Sequence, residues 1–363
     1  MKKANIFLIF LLLVLSLSLN SIAQKAKFVY TSAGELNVIG RIMPVKSGYH
    51  RLDTSAYPDI PAVVKRLLTN SAGMAIVFRT NSTAISAKWC VSAAAQLSNL
   101  TPIANKGMDL YIKHNGKWQF AGVARPNKQC SEYVMASNMD SSMKECLVYL
   151  PLYDEVMNPQ IGVEEGAAIT PMDNPFRRKI LIYGSSILQG ASASRPGLAY
   201  PARLSRNMGL YFLNLGLSGS AKMEKTVADM VNDVEADAYI LDCVPNSSPE
   251  QINERTAYLV RSISQRHPGK PIVIMQSIIR EGGYFNQVVG RRVKEQNENI
   301  AIQYEALKKA GVKDLYFIKA DKMLGSDHEG SVDGIHPNDL GFDRMIQEIE
   351  PALRKIFRKY GIR

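Results

Sequence analysis

Histidine and cysteine are scarce in this chain of 363 residues, with five of the first and four of the second. Cys90, Cys130, Cys146 and Cys243 follow no zinc-ligand spacing, which excludes a structural zinc module. After Leu19 no apolar run approaches the roughly 20 residues that a spanning helix needs, so stable membrane insertion is not expected. Basic residues are not interleaved with aromatics in a patch, which argues against nucleic acid as a partner. Internal repeats and low-complexity tracts are also missing, which excludes a solenoid or a long disordered tail.

What is present begins with a leader. Lys2 and Lys3 precede an apolar run from Ile6 to Leu19 and a small-residue exit at Ser21-Ile22-Ala23. Residues 1–23 read as a secretory signal peptide cut before Gln24, with no cysteine there to carry a lipid. The expected product is exported, periplasmic or secreted. The 340 residues that remain exceed what one hydrophobic core usually organises, so two domains are expected. Loss of Lys2 and Lys3 lowers the formal charge from +11 to +9, spread along the chain apart from the terminal "RKIFRKYGIR", which reads as the solvated face of a last helix. An oxidising compartment favours one bridge among the three cysteines of the first half, whose pairing the sequence leaves open, and leaves Cys243 a buried free thiol.

The hydrophobic period divides the chain. From Lys27 to about Pro171 it shows short alternating runs such as "AIVFRT", "TAISAKWCV" and "CLVYLPLY". "YIKHNGKWQF" carries Asn115-Gly116 between alternating apolar residues, a strong hairpin signal. Residues 24–172 therefore read as an antiparallel β-sandwich. Beyond "PMDNPFRRK", apolar runs at 179–183, 211–215, 237–242, 271–275 and 314–318 alternate with helical patterns near 199–208, 223–235, 249–266, 290–311 and 340–358. Such alternation predicts an α/β fold over 173–363: a five-stranded parallel sheet covered by helices on both faces, with reactive groups beyond the carboxyl ends of the strands.

The first of those ends reads "YGSSILQG". It has neither the lysine of a phosphate loop nor the G-x-G-x-x-G spacing of a dinucleotide site. Two adjacent serines remain, either of them a helix cap or a nucleophile. The second strand is followed by "GLSGS", where Gly219 exposes a backbone N–H without a side chain, and the third by "VPN", where Asn246 offers a neutral donor. After the fifth, "SVDGIHPND" sets Asp333 three residues before His336. A hydroxyl, an imidazole that takes its proton, a carboxylate that orients the imidazole and fixed donors for an oxyanion are the parts acyl transfer requires.

Other chemistries compete for these residues. His328, with Asp327, Glu329, Asp333 and His336, would make a mixed oxygen and imidazole metal site, but that leaves the serine, Gly219 and Asn246 without a role. His50, His114 and His267 lie in the β-rich half or at a helix end. An α/β-hydrolase would need G-x-S-x-G, which "GLSGS" fails at its last position. No metal and no cofactor are expected.

"YGSSILQG", "GLSG", "VPN" and "DGIH" in this order resemble the four blocks of the SGNH, or GDSL-like, hydrolase family. The resemblance covers most of residues 178–358 and implies a three-layer α/β/α domain of flavodoxin-like topology. It makes Ser186 the nucleophile, His336 the base and Asp333 the triad acid, with the Ser186 and Gly219 amides and the Asn246 carboxamide as the oxyanion hole. Ser185 stands where the family name has aspartate, and "VPNSS" departs from the commoner G-x-N-D. "GMDLY" at 107–111 looks like the G-x-D-L-Y signature of a β-rich domain in one bacterial subgroup, and "SRPGLAY" at 194–200 matches the segment that follows its serine block. The implied function is an exported serine esterase acting on an acylated glycan, acetyl first. A catalytically silent glycan-binding protein and an acyltransferase with the same triad are the alternatives.

Overall fold

The computed structural model describes residues 27–46, 48–92 and 95–363. The segment read as a signal peptide lies outside them. In the first half the strands are β1 (Phe28–Ser32), β2 (Asn37–Ile39), β3 (Ala75–Thr80), β4 (Ile85–Val91), β5 (Met108–His114), β6 (Lys117–Ala124), β7 (Cys130–Ala136), β8 (Lys144–Tyr149), β9 (Val156–Glu164) and β10 (Ile169–Pro171). Two helices interrupt them, α1 (Ala62–Leu68) and α2 (Pro102–Lys106). One antiparallel sheet runs β1-β9-β4-β7, the other β10-β3-β8-β5-β6 with β2 beside β3. Ile76, Phe78, Leu110 and Val148 of the second sheet meet Ile85, Ala87, Trp89 and Ile161 of the first in a common core. Asn115-Gly116 turns β5 into β6. Cys90 and Cys130 are register partners on β4 and β7 and form a disulfide, while Cys146 and Cys243 are buried free thiols.

The second half follows β11 (Arg177–Gly184), α3 (Ser186–Gln189), α4 (Tyr200–Met208), β12 (Leu210–Gly216), α5 (Lys225–Asn232), β13 (Ala238–Asp242), α6 (Pro249–Arg266), β14 (Ile272–Met275), α7 (Gln287–Lys309), β15 (Leu315–Ile318) and α8 (Asp339–Arg358). All five strands are parallel, in the order β12-β11-β13-β14-β15. This is the flavodoxin-like order, with its switch point beside β11. Alternate residues serve opposite faces: Leu181, Tyr183, Leu213 and Leu215 face one core, Ile180, Ile182, Leu210 and Phe212 the other. Burial on both faces is why these strands read as continuous apolar runs.

The first half is not a sandwich throughout. Residues 54–68 form a 3-10 turn and α1, and Val64, Leu67 and Leu68 leave the sandwich to pack with Ile42, Leu52 and Ile60 against one face of the parallel sheet. The i, i+3, i+4 spacing of those three residues on α1 gives the helix its apolar stripe. Leu100, Ala104 and Leu152 join the core on the opposite face. Arg51 is buried outright, its guanidinium donating to the carbonyls of Asn214 at 3.0 Å, Gly216 at 2.8 Å and Leu67 at 2.6 Å. Burial without a carboxylate partner pulls that guanidinium down to about 9.

The two motifs "GMDLY" and "SRPGLAY" are halves of one contact. Asp109 has no exposed surface; it accepts from Arg195 Nη1 at 2.8 Å and from the Gly197 N–H at 2.9 Å. Tyr111 bonds the same arginine through its hydroxyl, and the Arg206 guanidinium lies 3.9 Å from the centre of its ring. Only glycine fits at 197, because a Cβ there would stand 2.5 Å from the Tyr111 ring and 2.8 Å from Asp109 Oδ2.

Candidate active site

The register of the central strands aligns Gly184, Gly216 and Asp242 in one row. Ser186, Gly219 and Asn246 lie two, three and four residues beyond that row. Ser185, fully buried, caps α3 by accepting the Ile187 N–H at 3.3 Å, and its own N–H donates to the Asp242 carbonyl at 3.2 Å. Ser186 therefore falls at the first position of α3, where no intrahelical acceptor exists for its N–H. Its side chain is the one that turns outward: Ser186 Oγ lies 2.9 Å from His336 Nε2.

His336 is held by a tight loop. Ser331 and Pro337 form a bridge, and the Val332 N–H donates to the His336 carbonyl at 3.0 Å. Asp333 Oδ1 accepts the backbone N–H of Ile335 at 3.0 Å and of His336 at 2.8 Å, which turns Oδ2 to His336 Nδ1 at 2.8 Å. Burial acts to raise the Asp333 carboxyl, but the His336 backbone and ring donors outweigh it and hold it below the usual carboxylate value. The Asp-x-x-His spacing is thus what lets one carboxylate both build the loop and face the ring. Ser186, His336 and Asp333, distant in sequence, form one hydrogen-bonded line.

Gly219 and Asn246 are tied to the same edge through neighbours. The Ser218 N–H donates to Gln189 Oε1 on α3 at 3.1 Å, and the Ala221 N–H donates to Asn246 Oδ1 at 3.2 Å. That second bond fixes the Asn246 carboxamide with its oxygen occupied and Nδ2 as the remaining donor. Gly219 sits at φ +68°, exposed, with nothing within 4 Å of where a Cβ would be. Among the described residues the N–H groups of Ser186 and Gly219 meet no protein acceptor.

Other expectations sort themselves by contact. His328 does not join Asp333 and His336; it lies 2.9 Å from Glu281 and edge-on to Tyr284, while Asp327 pairs with Arg344. His50 pairs with Glu155, and His267 Nε2 bonds the Asn232 carbonyl. A cavity of about 540 Å³ along α7 and β15 includes Arg280, Tyr284 and Phe317 but not Ser186, Gly219, Asn246, Asp333 or His336. One residue at the site gave no sequence signal. Asn99, on the loop before α2, directs Nδ2 to Asp333 Oδ2 at 3.1 Å from 234 positions away.

Beneath the serine loop, Asp242 is buried and accepts from Tyr200 Oη at 2.8 Å. Burial lifts its carboxyl from 3.8 to about 7, although the tyrosine bond works against this. Below about pH 4 the group is protonated in folded and unfolded chains alike. Between about 4 and 7 only the unfolded chain gives up the proton, so stability falls as pH rises through this window. The full shift corresponds to roughly 4 kcal/mol. Asp242→Asn keeps an acceptor for Tyr200 and is expected to gain on the wild type by a few kcal/mol between pH 4.5 and pH 8 in urea titrations. A difference that stays constant with pH would mean that Asp242 titrates as an ordinary carboxylate.

Family models match residues 177–354, as "GDSL-like Lipase/Acylhydrolase family", and residues 27–169, as GxDLY, "N-terminus of Esterase_SGNH_hydro-type". A candidate GDSL-like lipase from Bacteroides ovatus, known as a crystal structure, is 56% identical, with 92% of this chain and 98% of that one covered and a TM-score of 0.90. The chain belongs to the GDSL-like lipase/acylhydrolase family. It is an ester hydrolase of that family, with the GxDLY type of N-terminal region. A salicylyl-acyltransferase from a tetracycline biosynthetic pathway shares the fold at 17% identity, covering 92% of this chain and 98% of its own, with a TM-score of 0.73. An acetyl xylan esterase from the rumen bacterium Butyrivibrio proteoclasticus does so at 12% identity, 92% and 99% coverage and a TM-score of 0.55. No curated protein sequence matches this GDSL-like chain.

Proposed function

We propose that the protein is an exported serine esterase that removes short acyl groups, acetyl first, from a carbohydrate. The observation that carries this reading is the line Ser186 Oγ, His336 Nε2, His336 Nδ1, Asp333 Oδ2, with contacts of 2.9 Å and 2.8 Å. Ser186 attacks the ester carbonyl as His336 takes its proton, and the imidazolium is stabilised by Asp333. The developing oxyanion is held by the N–H groups of Ser186 and Gly219 and by Asn246 Nδ2. His336 then protonates the leaving alcohol, and the same base activates the water that hydrolyses the acyl-enzyme.

Export is supported by the leader sequence and by the Cys90–Cys130 disulfide, a bond that persists in oxidising compartments. No helix among the described residues is long and apolar enough to cross a membrane. The carbohydrate substrate is supported by the fold shared with carbohydrate esterases, among them the acetyl xylan esterase. Nitrophenyl esters of increasing chain length, followed by acetylated oligosaccharides, test the specificity. Acetyl esters are expected to be turned over at least tenfold more efficiently than octanoyl esters, and acetate to be released from the glycan. Preference for long acyl chains would replace this reading with that of a lipase. The likeness to an acyltransferase supports a second reading, in which a sugar hydroxyl displaces water. Acyl-sugar formation exceeding hydrolysis in the presence of an acceptor would favour it.

A further inference from the structure

The side chain that completes the coordination of the triad acid comes from the β-rich half. Asn99 Nδ2 stands 3.1 Å from Asp333 Oδ2 and 3.3 Å from His336 Nδ1. With the His336 Nδ1 proton donated to Asp333, that nitrogen has no lone pair for a second donor. The amide therefore donates to Asp333 and lies against the edge of the ring. Asp333 then accepts two backbone N–H groups on Oδ1, and the ring and Asn99 on Oδ2.

Asn99 is anchored on its C-terminal side and braced by the turn before it. Leu100 is buried in the core of the parallel sheet, and its carbonyl accepts from Gln96 Nε2 at 2.9 Å. Thr101 Oγ1 donates to the Ser194 carbonyl at 2.6 Å while its hydroxyl caps α2 through the Ala104 N–H at 3.0 Å. A residue fixed in this way presents its amide without much loss of side-chain freedom.

We infer that Asn99 is a positioning residue for the esterase reaction, holding the Asp333 carboxylate toward His336, so that the β-rich half supplies a working part of the triad. This rests on the triad reading given above. A donor on the oxygen that faces the ring draws charge away from it, so the imidazolium gains less from Asp333 than it otherwise would. Removing the donor has two consequences: Oδ2 loses one of its two side-chain restraints while Oδ1 keeps its backbone donors, and the charge opposite the ring grows. Of the nearby acids, Asp242 is bonded to Tyr200 and Asp339 to the Ser194 N–H; among the described residues Asp333 alone pairs with the ring.

The test uses the full chain carrying Asn99→Ala or Asn99→Asp, with kcat, KM and the pH dependence of kcat/KM measured on a small acetyl ester. Asn99→Ala is expected to lower kcat about tenfold with KM within about twofold. Its acid limb should move up by about half a pH unit, and that of Asn99→Asp by about one unit or more, since a second carboxylate then faces the ring. Acid limbs that coincide with the wild type in both variants overturn the inference, as does a fall in kcat accompanied only by a lower Tm. Fluorophosphonate labelling of the wild type separates the two levels. If Ser186 is labelled and Ser186→Ala is inactive, the triad reading stands and the Asn99 result decides the inference alone; if activity survives Ser186→Ala, both fall.

Discussion

Ser186→Ala is expected to reduce kcat for a small acyl ester by about three to six orders of magnitude, with an unchanged circular dichroism spectrum and Tm. His336→Ala should do the same, because Oγ is a poor nucleophile without the imidazole 2.9 Å away. The double variant should be little worse than either single one, since the two side chains act on one proton. Asn246→Ala removes one of the three proposed oxyanion donors and is expected to cost about a hundredfold, leaving the serine still reactive toward a fluorophosphonate. Ser185→Ala serves as the contrast. Its hydroxyl caps α3 from a fully buried position, so its loss should lower stability by about 1 kcal/mol and kcat far less than the loss of Ser186. Near wild-type turnover in Ser186→Ala, with loss of turnover in Ser185→Ala, would reverse the assignment of the two serines.

The catalytic half was legible because its physics is local. Strands buried on both faces write themselves as apolar runs, and Ser186, Gly219 and Asn246 lie two to four residues beyond the ends of three of them. The five strands begin and end within two residues of the runs read from the sequence, and β12-β11-β13-β14-β15 is the order expected of a flavodoxin-like sheet. The switch of period near Pro171 likewise separates antiparallel from parallel pairing. The motifs "GMDLY" and "SRPGLAY" were visible as strings, but not as partners. What joins them is a buried carboxylate meeting an arginine and an N–H across 86 and 88 positions.

What stayed hidden depends on contacts that leave no period. Asn99 is a polar residue in the loop "QLSNLTP", where asparagine is ordinary, and nothing nearby marks it as a partner of Asp333. Arg51 sits in "GYHRLD", where no period marks it as a core residue, yet its guanidinium is buried among carbonyl oxygens. Residues 54–68 read as part of the sandwich because strand-like runs flank them. A helix of seven residues is too short to declare itself against flanking strands, and its apolar face belongs to the other half.

That misplaced helix carries the second large effect: residues 173–363 alone are expected not to form a stable, active hydrolase. Removing the first half strips Ile42, Leu52, Ile60, Val64, Leu67 and Leu68 from one face of the parallel sheet, and Leu100 and Leu152 from the other. At roughly 1.5 kcal/mol or more for each side chain, the lost burial is on the order of 10 kcal/mol, as large as the whole stability of a typical domain. Arg51 goes too, leaving the carbonyls of Asn214 and Gly216 without their donor. A single substitution probes the same contact more gently. Asp109→Ala leaves Arg195 and the Gly197 N–H facing a cavity where a carboxylate stood, at a cost of about 3–5 kcal/mol, with Asp109→Asn costing less because it still accepts from Gly197. Size-exclusion chromatography, urea titration and acetyl-ester turnover of the fragment and of both variants measure this directly. A monomeric fragment that unfolds cooperatively and matches the full chain in kcat/KM would mean that the β-rich half is only appended, and that the packing across the parallel sheet contributes far less than its burial implies.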